Sequence, residues 1–197
     1  MTNEPIGRCF WCGDDPLYVA YHDTEWGVPV YDDRELFERL LLEGFQAGLS
    51  WRTILHKREN YRRVMDGFQP EIIAGYDEEK IQALLADPGI VRNRLKVRGA
   101  VRNAQAYLRL TAAHGSFSDW LWAFVDHTPR LPRLPMTPDT IPSSTPAAEA
   151  MSKALKKADF TFVGPTICYA FMQSVGMVDD HIMGCFKYRG PTMQDVS

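Results

Sequence analysis

Between Thr128 and Pro146 the chain carries six of its thirteen prolines. A segment so dense in residues that fix φ and lack an amide N–H can be neither helix interior nor central strand. It must run as an extended connector over the surface. What it joins is patterned for helix. From Asp33, a suitable N-cap, Leu36, Phe37, Leu40, Leu41 and Gly44 recur at the 3.6-residue period. Thr53 to Met65 predicts a further helix, and Ile72 to Tyr76 and Glu78 to Ala86 predict short ones, closed by Asp87-Pro88-Gly89. Arg94 to Ala112 reads as a long helix with Val97, Val101, Ala104 and Leu108 buried and Arg98, Arg102, Gln105 and Arg109 on another face. Ser118 to Val125 leads into the connector, and a helix from Pro146 or Ala147 to Lys157 leaves it. No stretch alternates strictly enough for a sheet, so the reading is a single all-α domain over residues 1–197.

The 197 residues, 45% hydrophobic and 24% charged, exclude wholesale disorder and suffice for one real core. No apolar run approaches the roughly 20 residues of a membrane helix. Met1 to Gly7 has no apolar signal region, so a cytoplasmic location is expected. Four cysteines in a chain this long point to metal ligation or buried thiols rather than a disulfide scaffold. The net charge of −3 argues against a strongly basic nucleic-acid binder, but its distribution does not: Gly89 to Ala113 holds six Lys or Arg and no acid.

Phe10, Trp11, Tyr18, Tyr21, Trp26 and Tyr31 crowd a segment with weak helical periodicity, which reads as loop and short turns packed on something else. Cys9 and His22 lie in it. His181-x-x-x-Cys185 places two more metal-capable side chains one helical turn apart. Together they form a Cys₂His₂ set that suits tetrahedral zinc and would tie the two ends of the chain together. The zinc-like spacing Cys9-x-x-Cys12 competes, and spacing alone does not choose between Cys12 and His22. Cys168, in the apolar run Ile167 to Met172, is expected to be a core thiol.

Glu43 stands seven residues after Leu36 and three after Leu40, on the core-facing stripe of its helix. A carboxylate there needs a partner or a raised pKa, and it could accept hydrogen bonds from a ligand at the floor of a pocket. Trp51, Tyr21 and Trp11 are natural walls for a flat heterocycle. Farther on, Lys156 to Thr166 joins two helices by a hairpin with the sequence Val163-Gly164-Pro165-Thr166. Pro165 suits the first helical position, and the motif alone allows two readings: a phosphate site at the amides behind it, with Lys153, Lys156 and Lys157 adding attraction, or a simple αα-hairpin with solvated lysines.

Arg8-Cys9-x-Trp11, Asp15-Pro16-Leu17-Tyr18, Tyr21-His22-Asp23-x-Glu25-Trp26-Gly27, Glu43-Gly44-x-Gln46-Ala47-Gly48-Leu49-Ser50-Trp51 and Phe162-Val163-Gly164-x-Thr166 occur in this order. They resemble the 3-methyladenine DNA glycosylase I family of the helix–hairpin–helix superfamily, from about Arg8 to Cys185. The resemblance implies a helical fold, with the helix–hairpin–helix at about 147–176, and hydrolysis of the N-glycosidic bond of 3-methyladenine in alkylated double-stranded DNA. It implies one structural Zn²⁺ per chain on Cys9, His22, His181 and Cys185, with Cys12 left out. It places base recognition and catalysis on Glu43, with Tyr21, Trp51, Trp11 and Tyr18 binding the base. Gly48 and Leu49 match the loop that enters the duplex, and Gly164, Thr166 and Lys153 face the backbone.

The implied enzyme is monofunctional and a monomer without a required protein partner. Thr166 and Ile167 stand where lyase-active members of the superfamily carry a lysine. Asp179 aligns with an aspartate that assists cleavage elsewhere in the superfamily; here Asp179 is expected to be a surface or capping residue, with Asp180 beside it. The alternatives are a non-catalytic zinc module that binds damaged DNA and a small-molecule binder with a purine-sized pocket.

Overall fold

In the computed structural model, which describes residues 7–195, helices account for the regular structure. They are α1 (Pro16–Thr24), α2 (Asp33–Gln46), α3 (Trp51–Val64), α4 (Pro70–Ile73), α5 (Glu78–Ala86), α6 (Arg94–His114), α7 (Phe117–Trp122), α8 (Pro146–Lys157) and α9 (Pro165–Ser174). Among the described residues there is no sheet, only an isolated bridge between Arg130 and Val178. The all-α reading holds. Among the described residues no helix is long and apolar enough to cross a membrane. Of the segment Met1 to Gly7, residues 1–6 lie outside the described residues.

Side-chain caps set the helix starts. Asp15, Asp32, Ser50, Asp77, Asn93, Ser116 and Thr145 each accept a backbone N–H from the first turn of the helix that follows. Three expectations shift as a result. Asp32, not Asp33, caps α2; Asp33 is its first residue, and its carboxylate instead accepts from the amides of Phe117 (3.0 Å) and Ser118 (2.7 Å) at the start of α7. Ser50 starts α3 at Trp51, two residues before the periodicity begins. The aromatic N-terminal segment is not all loop, because Asp15 and Pro16 launch α1, which buries only Tyr21 and His22 and so shows little apolar stripe.

α2 runs through the centre, burying every residue from Leu40 to Phe45, and packs on α3, α6, α7 and α9. α8 and α9 form the hairpin pair. The hairpin is seated by Phe162, where glycines make room: a Cβ on Gly99 of α6 would lie 3.0 Å from the Phe162 ring, and one on Gly44 of α2 would lie 3.2 Å from its Cβ. Cys168 is fully buried, as expected of a core thiol. The connector does more than cross the surface. Arg130 exchanges backbone hydrogen bonds with the exit of α9, donating to Met177 (3.0 Å) and accepting from Asp179 (2.9 Å), and Met136 accepts from the Met183 amide at 2.9 Å.

Candidate functional site

Two constellations lie side by side. The first is a cavity of about 280 Å³ lined by Phe10, Trp11, Tyr18, Tyr21, Trp26, Glu43, Gln46, Trp51, Ile141, Ala170 and Gln173. Its walls are aromatic: Trp11 meets Tyr18 at 5.1 Å between ring centroids, and Tyr21 meets Trp51 at 5.4 Å. Glu43 is 4% exposed. Burial pushes its carboxyl up to about 8, against the opposing pull of the Ser174 hydroxyl and the Arg39 guanidinium. The Trp51 indole N–H is buried without a hydrogen-bond partner among the described residues. All five pocket residues expected from the sequence therefore line one cavity.

Sequence reasoning missed Phe10, Trp26, Gln46, Ile141, Ala170 and Gln173. Trp26 and Gln46 stood inside quoted motifs without being singled out. Ile141 comes from the proline-rich connector, 98 positions from Glu43, and no local pattern announces such a contact.

The second constellation is buried: Cys9, His22, His181 and Cys185, whose donor atoms all lie within 4.8 Å of one another. The Sγ of Cys185 is 3.4 Å from His22 Nε2 and 3.6 Å from His181 Nδ1, and Cys9 Sγ is 3.5 Å from His181 Nδ1. Two thiols and two imidazoles converging in this way form a set able to hold a metal ion. Burial raises the Cys9 thiol to about 12 and lowers His181 to about 4. A bound cation removes the cost of two adjacent buried thiolates and uses the neutral imidazoles. His22 Nδ1 meets Asp23 Oδ1 at 2.7 Å, and Arg8 Nη2 donates to Asp23 Oδ2 at 2.8 Å, which fixes the ring.

The His181–Cys185 pair is not helical, contrary to the one-turn expectation. It converges through a turn in which the Cys185 amide donates to Ile182, with Gly184 at φ 86°. Cys12 stays outside, its Sγ directed at the Gly13 carbonyl at 3.8 Å.

The remaining expected residues lie on outer surfaces. Gly48 (φ 77°) and Leu49 (44% exposed) form the turn between pocket-lining Gln46 and Trp51. Gly164 is the N-cap of α9; Thr166 and Lys153 are exposed. Asp179 is not on the surface: it is 2% exposed, accepting from Arg189 Nε (2.7 Å) and the His181 amide (3.2 Å). It holds the His181 amide two residues on, in a segment where no helix begins, so it is neither the surface residue nor the helix cap expected. Asp180 accepts from the Tyr169 hydroxyl and from Gln173 Nε2 at 2.7 Å.

A helical hairpin beside an aromatic cavity edged by a buried carboxyl group defines a helix–hairpin–helix protein. The family model for methyladenine glycosylases matches residues 11–188, and the chain belongs to that family. It is 51% identical over 183 residues to DNA-3-methyladenine glycosylase 1 of Escherichia coli, covering 93% of this chain and 97% of that one. A crystal structure of 3-methyladenine DNA glycosylase I superposes with a TM-score of 0.90 at 52% identity, covering 92% of this chain and all of the other. The Staphylococcus aureus 3-methyladenine DNA glycosylase I, solved for its recognition of 3-methyladenine, gives 0.88 at 36% identity, covering 94% and 98%.

Proposed function

We propose that this chain is a monofunctional glycosylase that extrudes 3-methyladenine from alkylated double-stranded DNA and hydrolyses its bond to deoxyribose. The observation that carries the reading is Glu43, a buried carboxyl at the edge of an aromatic cavity of nucleobase size.

Methylation at N3 gives the adenine ring a positive charge while it is still bonded to the sugar. Aromatic faces attract such a cation by about 0.5–2 kcal/mol each, and that preference favours the damaged base over ordinary adenine. Tyr21, Trp51, Trp11 and Tyr18 supply the faces, and Glu43 accepts from the exocyclic amine. A cation beside Glu43 draws its pKa back down, so the ion pair forms as the base enters. Water then adds at C1′ as the C1′–N9 bond breaks. The bonding electrons leave with N9 and neutralise the ring, the free base departs, and the water's proton passes to solvent. Because the leaving group is neutral, little acid–base assistance is needed, and selection is made largely in binding.

The N-glycosidic bond is reached only after the nucleotide leaves the stack, at a cost of a few kcal/mol. Leu49, apolar and exposed on the turn beside the cavity, is placed to fill the gap left behind. The amides of Thr166 and Ile167, which have no acceptor within α9, suit a phosphate, and Lys153 adds charge nearby.

Zinc fits the Cys₂His₂ set. Zinc–sulfur bonds of about 2.3 Å and zinc–nitrogen bonds of about 2.0–2.1 Å in a tetrahedron put neighbouring donors about 3.6 Å apart. Three of the cysteine–histidine donor pairs here lie 3.4–3.6 Å apart, and all four donors lie within 4.8 Å of one another. Bound there, the metal supplies folding energy, joining the N-terminal segment to the C-terminal turn.

The test is incubation of the protein with methylated double-stranded DNA and chromatography of the released bases. Free 3-methyladenine is the expected product. DNA binding without any released base would favour the non-catalytic alternative.

A further inference from the structure

Lys96 is only 8% exposed, yet no carboxylate among the described residues pairs with it. Its Nζ donates to the carbonyls of Phe45 (2.9 Å) and Ala47 (2.6 Å). These lie at the C-terminal end of α2, immediately before the turn that carries Gly48 and Leu49. The negative end of a helix is a favourable place for a cation, but a buried ammonium is an expensive way to close a helix. Burial alone lowers the Lys96 pKa.

The same helix grips the hairpin. From α6, Asn103 donates Nδ2 to the Thr161 carbonyl (3.0 Å) and accepts the Thr161 amide on Oδ1 (2.7 Å). Phe162 is seated over Gly99, one turn before Asn103 and three residues after Lys96. α6 thus spans the distance between the two features proposed to touch DNA, holding the hairpin near its middle and the Leu49 turn at its start.

We infer that Lys96 is a positioning residue: through the Phe45 and Ala47 carbonyls it fixes the Leu49 turn at a set distance from the hairpin. Leu49 then meets the duplex where the hairpin has gripped it. The inference rests on the glycosylase reading above. A lysine that merely closed α2 would affect stability, with no dependence on Leu49.

A double-mutant cycle on methylated double-stranded DNA separates the two, with single-turnover release of 3-methyladenine as the readout. Lys96→Met keeps the length of the stem and removes the ammonium. Lys96→Met is expected to slow release about tenfold, the loss of a charge-assisted hydrogen bond being of that size. Leu49→Ala, which removes the apolar side chain that fills the gap in the stack, is expected to slow it about as much. The pair is expected to be no slower than the slower single variant, because Lys96 acts through Leu49. Free 3-methyladenine should bind Lys96→Met with unchanged affinity by tryptophan fluorescence. Lys96→Gln, which retains neutral N–H donors, should recover part of the rate, and it takes the place of Lys96→Met in the cycle if that variant does not fold. Effects that multiply in the pair, or a lysine variant that releases base at the unmodified rate, would overturn the inference. If the unmodified protein released no base, the glycosylase reading itself would fall.

Discussion

The indole of Trp26 meets the imidazole of His181 edge to face, with centroids 4.6 Å apart and planes at 89°. Trp26 also lines the base cavity and meets Trp11 at 5.0 Å. The proposed zinc site therefore backs the pocket directly. Purified protein should carry close to one zinc per chain. Cys185→Ala should abolish that stoichiometry and lower the melting temperature. It should also weaken 3-methyladenine binding, because Trp26 loses its backing. Elemental analysis, calorimetry and fluorescence titration check the three outcomes; base affinity that survives metal loss would separate the pocket from the cluster.

Glu43 makes opposite predictions for stability and function. Its carboxyl is raised to about 8 in the fold, from an ordinary 4.5. Between those pH values the folded state holds a proton that the unfolded chain has released, so stability falls as pH rises through this window. Glu43→Gln removes the titration. At pH 8 the variant should be more stable than the unmodified protein by up to about 4 kcal/mol, with the advantage shrinking toward pH 4.5. The same variant should release 3-methyladenine from methylated DNA more slowly, since a neutral amide does not pair with the ring while it is cationic and still bonded to deoxyribose. Melting curves across pH, set beside base-release rates, test both. A variant that excises at the wild-type rate and affinity would remove Glu43 from the site.

The helical fold was legible because α6 and α8 bury one face each and α2 begins the same way before its last turns are buried all round, so a 3.6-residue period is written in adjacent turns. α1 was hidden because its aromatics point both into the pocket and into the metal cluster. The placement of Glu43 on the core side of α2 followed from spacing alone. The approach of Ile141 to the same cavity did not, since it depends on where the proline-rich connector is pinned by Arg130 and Met136. The spacing of His181 and Cys185 suits one turn of helix, but the Gly184 turn brings them together instead.

Lys153 is exposed on α8, on the hairpin pair whose second helix starts at Pro165 behind the N-cap Gly164. As a single phosphate contact it should matter to affinity without affecting the choice of base. Lys153→Ala should weaken duplex binding similarly for methylated and unmethylated DNA, and reduce the slope of log affinity against log salt by about 0.9. Titrations at several salt concentrations measure that slope. An unchanged slope would place Lys153 away from the DNA.

Asp179 stands where an aspartate that assists bond cleavage would be sought, but its two oxygens are already engaged. Oδ2 takes the Arg189 guanidinium and Oδ1 takes the amide of His181, a metal-site residue. Asp179 is not among the residues lining the base cavity. Asp179→Asn preserves shape and one acceptor oxygen but removes the charge opposite Arg189. Single-turnover release of 3-methyladenine should stay within about twofold of the unmodified rate, whereas a catalytic carboxylate would cost about a hundredfold or more. Zinc should be lost to a competing chelator more readily, because the turn that carries His181 is held less firmly. Excision that collapses while zinc retention stays unchanged would reverse the assignment and place Asp179 in the chemistry.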